Sequence, residues 1–196
     1  MTSLKRTKLR QCTNCLCVIN GVWEWVEECA REAADEEPAM RGILDDVCLS
    51  RNSLATSISA RLARKLSRRD MPRELIEPLI REALADEESI LSQIAHDLIA
   101  IVDRDPACRT PLEPLLFYKG FHAITTYRIS HWLWKHGRTS MALQFQSLAS
   151  EVFAVDIHPA AVIGCGILLD HATSFVVGET AIIRDNVSIL HEVTLG

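Results

Sequence analysis

Beyond Glu151 the apolar residues return every six positions, and this period constrains the fold of the 196-residue chain more than any other feature. Ile157, Ile163 and Leu169 form one run, and Val177, Ile183, Ile189 and Leu195 form the next. A second small or apolar residue follows four positions after most of them, at Ala161, Ile167, Thr173, Ala181, Val187 and Val193. Neither the helical period nor the two-residue alternation of a flat strand produces this spacing. A hexapeptide period marks a parallel β-helix, in which three short strands make one triangular coil and small residues turn the corners. From Leu169 to Val177 the step is eight, so the register slips by two and an irregular corner is expected at His171. The repeat fills about two coils and stops in mid-repeat at Val193-Thr194-Leu195-Gly196. A solenoid needs roughly three or more repeats, because each buries its face only against its neighbours. The expectation is therefore a chain truncated relative to a complete domain, or one that completes its coil by association.

Before Glu151 the spacing is helical. Leu54, Ile58, Leu62 and Leu66 fall at steps of four behind Ser53, a good N-cap. Pro72 opens a second helix expected to run to about Ala85, since proline is favoured at helix starts. Ile90, Ile94, Leu98 and Val102 mark a third, which Asp103-Arg104-Asp105-Pro106 ends because the residue before proline disfavours the helical region. Phe117 to Trp134 reads as one aromatic-rich helix whose rings are core, and Thr139 to about Ser150 as the last. The charges around Arg61 to Arg69 read as a solvated face. The fold class is α+β: a disordered or variable tail over 1–20, a helical domain over 21–150 and a partial β-helix over 151–196.

Composition narrows the function. With 48% hydrophobic and 24% charged residues the chain can bury a sizeable core. A net charge of -5 gives no electrostatic reason to bind nucleic acid or an anionic membrane. No apolar run approaches the ~20 residues that span a bilayer. The first ten residues carry Lys5, Arg6, Lys8 and Arg10 and read as a frayed tail. Cys12, Cys15 and Cys17 form a C-x-x-C-x-C cluster without a second ligand pair at zinc spacing. An odd total of seven cysteines with no disulfide framework points to a reducing compartment, the cytoplasm.

The β-helical part concentrates Asp156, His158, Asp170, His171, Asp185 and His191. Such groups are costly to bury unpaired, so they belong at corners or interfaces. A histidine near neutral pH can serve as a general base, and a carboxylate on its other nitrogen fixes the tautomer. Asp156 precedes His171 by fifteen residues, a little under the coil of about eighteen, which returns the chain near the same wall. Asp170, adjacent to His171, should point the other way on a strand and suits substrate binding better. The competing reading, a zinc site of His158, His171 and His191, lacks a closely spaced histidine pair. His96, His122, His131 and His136 read as satisfied structural histidines.

Two blocks carry a family resemblance. The first runs through Arg104-Asp105-Pro106-Ala107, Pro114 to Phe121 and Tyr127 to Trp134; the second through Glu151 to Ala161, Ile167 to Thr173, Val177 to Ala181 and Asn186 to Gly196. In this order they resemble the serine acetyltransferases. The resemblance implies that the β-helix is left-handed and that the helical domain oligomerises, giving trimers paired into hexamers. It implies transfer of an acetyl group from acetyl-CoA, as co-substrate with no bound cofactor or metal, to the hydroxyl of L-serine in cysteine biosynthesis. It implies His171 as the general base, Asp156 as its orienting partner, and Asp105 and Asp170 as serine-binding carboxylates. The chain departs from the family in two ways. The family's following loop, its Arg-His pair, its later coils and its C-terminal tail are absent, so docking on O-acetylserine sulfhydrylase is not expected. Ser174 stands where the family has glycine, which is expected to strain that corner. Two other readings compete: a non-catalytic oligomerisation or regulatory fragment of the same family, and an acyltransferase acting on a sugar.

Overall fold

The computed structural model describes residues 14–196. Its first helix, α1 (Cys15–Glu36), begins inside the stretch expected to be tail, because the Asn14 side chain caps it by accepting from the Leu16 N–H at 2.9 Å. Of the cysteine cluster, Cys12 lies outside the described residues, Cys15 is an exposed free thiol and Cys17 is disulfide-bonded. A short 3-10 turn at Pro38–Met40 leads into α2 (Arg41–Leu44), which widens into a π turn at Asp45–Leu49. Then follow α3 (Leu54–Leu66), α4 (Arg73–Asp86) and α5 (Glu88–Arg104). Ser53 caps α3 as its sequence suggests, its hydroxyl accepting from the Thr56 N–H at 3.3 Å.

The expected Phe117–Trp134 helix is two helices, α6 (Leu112–Phe117) and α7 (Lys119–Lys135), broken where Tyr118 takes an extended ψ of 109°. Residues 120–130 of α7 are buried on every side, which makes it the central helix and explains why its sequence shows no polar face. Phe121, Tyr127 and Trp132 are core, as expected of the aromatics, but Phe117 is 59% exposed. Arg61 also departs from expectation. It is buried, not solvated, and its Nη2 donates to the Leu116 carbonyl. The last helix, α8 (Thr139–Phe153), ends on Ala154 in the left-handed region.

The remainder is a left-handed parallel β-helix of seven short strands: β1 (Val155–Ile157), β2 (Val162–Ile163), β3 (Leu168–Leu169), β4 (Phe175–Val177), β5 (Ile182–Ile183), β6 (Ser188–Ile189) and β7 (Thr194–Leu195). They stack as three parallel walls, β1-β4-β7, β2-β5 and β3-β6. Inward positions Ile157, Ile163, Leu169, Val177, Ile183 and Ile189 are buried, while outward Val162, Val176 and Ile182 are exposed, so the six-residue period is the inward face. The slip is visible in the register. Val155 pairs with Phe175, twenty residues on, whereas Val176 pairs with Thr194, eighteen on.

The two extra residues make the corner between β3 and β4, where His171, Ala172 and Ser174 all have positive φ (56°, 61° and 59°). A left-handed conformation disfavours a residue with a Cβ by roughly 1–2 kcal/mol, so Ser174 is strained where glycine would not be. Among the described residues no hydrogen bond of the exposed Ser174 side chain offsets this, and the backbone N–H bond to the Ala154 carbonyl at 2.9 Å does not depend on the side chain. Ser174→Gly is therefore expected to raise stability by about 0.5–1 kcal/mol, after the greater unfolded-state freedom of glycine is subtracted. Thermal or urea unfolding of the two proteins measures it.

A belt of polar contacts holds the helices to the β-helix. Asp97 of α5 and Arg128 of α7 form a buried ion pair, Oδ2 to Nη2 2.7 Å. Asp97 Oδ1 accepts from the Ile167 N–H at 2.8 Å and Arg128 Nη2 donates to the Gly164 carbonyl at 2.8 Å. Arg104 donates to the Asn186 carbonyl and the Ser188 hydroxyl, each at 3.0 Å, and to the Gly166 carbonyl. Tyr127 and His131 reach the Ala161 and Pro159 carbonyls. Because most of these bonds go to β-helix backbone, the corners are fixed relative to α5 and α7 rather than left to loop freedom.

Candidate active site

The junction of α5, α6 and α7 with the β3–β4 corner forms an open cleft of about 350 Å³ lined by Asp105, Ala107, Phe117 to Gly120, Leu169, Asp170 and His171. Three of the four residues singled out from sequence meet here, although Asp105 and Asp170 lie 65 positions apart (170 − 105). Each is placed by a different local device.

Asp105 follows the last residue of α5. Pro106 ends the helix, and the Asp105 Oδ1 accepts from the Ala107 N–H at 2.8 Å, which fixes the carboxylate in an Asx turn. The carboxylate sits at the negative end of the helix, where it disfavours the helix alone and favours a bound cation. Asp170 directly follows β3, its N–H bonded to the Ile189 carbonyl at 2.8 Å. His171 opens the left-handed corner and is 74% exposed, its Nε2 3.7 Å from Asp170 Oδ2. Asp170 and His171 do not diverge as neighbours on a strand would. The corner turns them onto the same cavity, because the positive φ of His171 takes it out of the strand geometry assumed from sequence.

Asp156 is placed elsewhere. Its Oδ1 accepts from Gln146 Nε2 of α8 at 2.6 Å, it does not line the cavity, and no hydrogen bond among the described residues joins it to His171. The reason is the slip: the first coil holds twenty residues, so Asp156 pairs with Val176 and His171 sits in the corner before that strand. The histidines also separate. His158 packs edge-on against the Trp134 ring, whereas His191 approaches His171 with ring centroids 6.0 Å apart. Among the described residues no group of three His, Cys, Asp or Glu side chains converges as a metal site. His96, His122, His131 and His136 each place a ring nitrogen on a backbone carbonyl. Burial pushes the His122 imidazole down to about 3, so it is neutral in the core.

Two further cavity residues, Lys119 and Gly120, lie within the Pro114 to Phe121 block but have no chemical role legible in the sequence. Gly120 lets α7 touch the corner: a Cβ there would lie 2.0 Å from the Leu169 carbonyl oxygen. Lys119, one position earlier, donates to the Thr173 hydroxyl at 2.5 Å. A glycine inside a long helix was the available signal, since it is disfavoured there unless something packs closely against it.

The family described as "Serine acetyltransferase, N-terminal" matches residues 22–126. The chain belongs to the serine acetyltransferase family. It is 46% identical over 175 residues to the serine acetyltransferase of Escherichia coli (strain K12), covering 89% of this chain and 64% of that protein. It is 49% identical to the probable serine acetyltransferase 5 of Oryza sativa subsp. japonica, covering 89% of this chain and 52% of the relative. The chain thus spans less than two thirds of the length of these curated relatives. Among solved structures, the serine acetyltransferase of Vibrio cholerae superposes with a TM-score of 0.88 at 43% identity, covering 90% of this chain and 68% of that one. A soybean serine acetyltransferase complexed with serine gives 0.86 at 46% identity, covering 88% and 71%. A serine acetyltransferase complexed with CoA gives 0.88 at 45%, covering 89% and 75%. No helix among the described residues is long and apolar enough to cross a membrane.

Proposed function

We propose that the cavity binds L-serine and that the chain transfers an acetyl group to it from acetyl-CoA. The observation that carries this reading is the convergence of Asp105, Asp170 and His171 on one cavity at the domain junction. The two carboxylates offer an amino acid's ammonium group two acceptors, strengthened by the α5 terminus behind Asp105. His171 then lies where it can take the proton from the serine hydroxyl. A hydroxyl is a weak nucleophile at neutral pH and needs such a base. The freed oxygen attacks the thioester carbonyl, the tetrahedral intermediate expels the CoA thiolate, and the proton held by His171 passes to that thiolate. Asp170, 3.7 Å from His171, also orients the imidazole in this reading. Asp156 takes the orienting role implied by the family resemblance only in an assembly that brings it to His171. Relatives complexed with serine and with CoA support both substrates.

We place the protein in the cytoplasm, as a biosynthetic enzyme with mostly free thiols, and read its helical domain as the site of trimer or hexamer formation. Docking on O-acetylserine sulfhydrylase is not part of the proposal.

The test is release of free thiol from acetyl-CoA by this chain, with L-serine and separately with amino sugars as acceptor. Serine-dependent release supports the proposal, and release with a sugar alone overturns it. No release, with oligomers still present by light scattering, favours a non-catalytic assembly role. Asp105→Asn separates binding from chemistry. It is expected to raise the KM for serine by about tenfold, roughly the 1.4 kcal/mol of a charged hydrogen bond, and to leave the KM for acetyl-CoA nearly unchanged. Initial-rate kinetics at varied serine and varied acetyl-CoA check this, and an equal effect on both would remove Asp105 from serine binding.

A further inference from the structure

We propose that Lys119 is a positioning residue for His171, acting through the hydroxyl of Thr173. The inference rests on the reading of His171 as the base. Lys119 Nζ donates to Thr173 Oγ1 at 2.5 Å, and Thr173 Oγ1 in turn donates to the His171 carbonyl at 3.4 Å. The Thr173 N–H bonds to the same carbonyl at 2.8 Å. Both bonds to the His171 carbonyl thus come from Thr173, and the Thr173 hydroxyl is in turn anchored on α7 by Lys119.

That anchor is needed because the corner is locally unfavourable. His171, Ala172 and Ser174 are all left-handed without being glycine, and such conformations persist where the surroundings impose them. Gly120 brings α7 against the Leu169 carbonyl, with its would-be Cβ 3.3 Å from Ala172 Cβ, so the Lys119 side chain starts within reach of the corner.

The charge of Lys119 has no use within its own helix. It is the first residue of α7, where a cation opposes the positive end of the helix dipole. No ion pair between Lys119 and Asp105 or Asp170 is found among the described residues, although all three line the same cavity. The hydrogen bond that its ammonium does make is the one to the Thr173 hydroxyl at the corner.

The test uses the full chain with Lys119→Met, Thr173→Val and the double variant. Amide hydrogen exchange followed by NMR reads the corner directly, through the N–H groups of Thr173, Ser174, Phe175 and Glu192, whose acceptors all lie in or beside it. In Lys119→Met their exchange is expected to quicken tenfold or more while α3 and α5 amides stay unchanged. Serine-dependent turnover is expected to fall on the order of ten- to a hundredfold at a KM for serine near that of the parent, as for a misplaced catalytic group. The double variant is expected to be no slower than the slower single one, because the two residues act in series. Unchanged corner exchange in Lys119→Met overturns the proposal, and so does a loosened corner with parental turnover. If the parent chain shows no serine-dependent turnover, the serine reading fails by itself. The exchange measurement then still decides whether Lys119 fixes the corner. Should Lys119→Met not fold, Thr173→Val carries the same two readouts.

Discussion

Replacing His171 by alanine is expected to lower serine-dependent acetyl transfer by about 10²–10⁴-fold, the usual contribution of a positioned general base. The side chain is 74% exposed, so its loss removes little packing. Its backbone is left-handed, however, and alanine tolerates that conformation poorly. His171→Asn is the better-matched variant, because asparagine adopts the left-handed region readily and cannot act as a base at neutral pH. The same rate loss in both variants, with unchanged unfolding curves, assigns the loss to proton transfer. Added imidazole is expected to restore part of the rate. Turnover close to the parent in His171→Asn would remove His171 from the role of base, whatever the alanine variant shows.

The largest effect on stability is expected at Asp97. Its carboxylate and the Arg128 guanidinium are both almost fully buried, with side-chain exposures of 1% and 2%. Burial pushes the Asp97 carboxyl upward, and Arg128 with the Ile167 N–H works against that shift by favouring the charged form. Asp97→Ala leaves the Arg128 charge in the interior without its counterion and the Ile167 N–H without its acceptor. Breaking a buried pair from one side costs about 3–5 kcal/mol. For a chain of this size that corresponds to a fall in melting temperature of roughly 10 °C. The loss is larger than for a helix–helix contact alone, because the pair also ties α5 and α7 to the β2–β3 turn. Exchange of Asp97 and Arg128 together for apolar residues of similar volume is expected to recover much of it. A fall below 1 kcal/mol in Asp97→Ala would mean that the pair is solvated in solution.

Much of the fold was legible because its signals are local. The six-residue inward face gave the β-helix, the eight-residue step from Leu169 to Val177 gave the position of the wide corner, and Ser53, Pro72 and Pro106 gave helix ends. What was not legible depends on tertiary contact. Arg61 lies in a charged stretch that reads as solvated, and only the Leu116 carbonyl across the core explains its burial. The break at Tyr118 carries no proline, and Gly120 two positions on reads equally well as a glycine within one continuous helix. The candidate site divides in the same way. Residue types and the family resemblance found Asp105, Asp170 and His171, yet their meeting needs α5 docked on β3. Asp156 shows the limit of counting along a coil, since the two inserted residues that create the His171 corner also change the distance being counted. Lys119 and Gly120 sit in the Pro114 to Phe121 block, and their contacts depend on Thr173 and Leu169, which lie opposite them only in the folded chain.

Everything proposed for the site depends on L-serine binding where Asp105, Asp170 and His171 converge. The most direct test of that binding is a titration of the intact chain with L-serine, following the imidazole signals of its seven histidines by NMR, with His171 assigned from His171→Asn. A saturable shift of the His171 signals is expected, with a smaller shift of neighbouring His191 and none at buried His122 or at His96. Titration with L-serine that leaves His171 unmoved, or moves His131 or His158 instead, would contradict binding at this site.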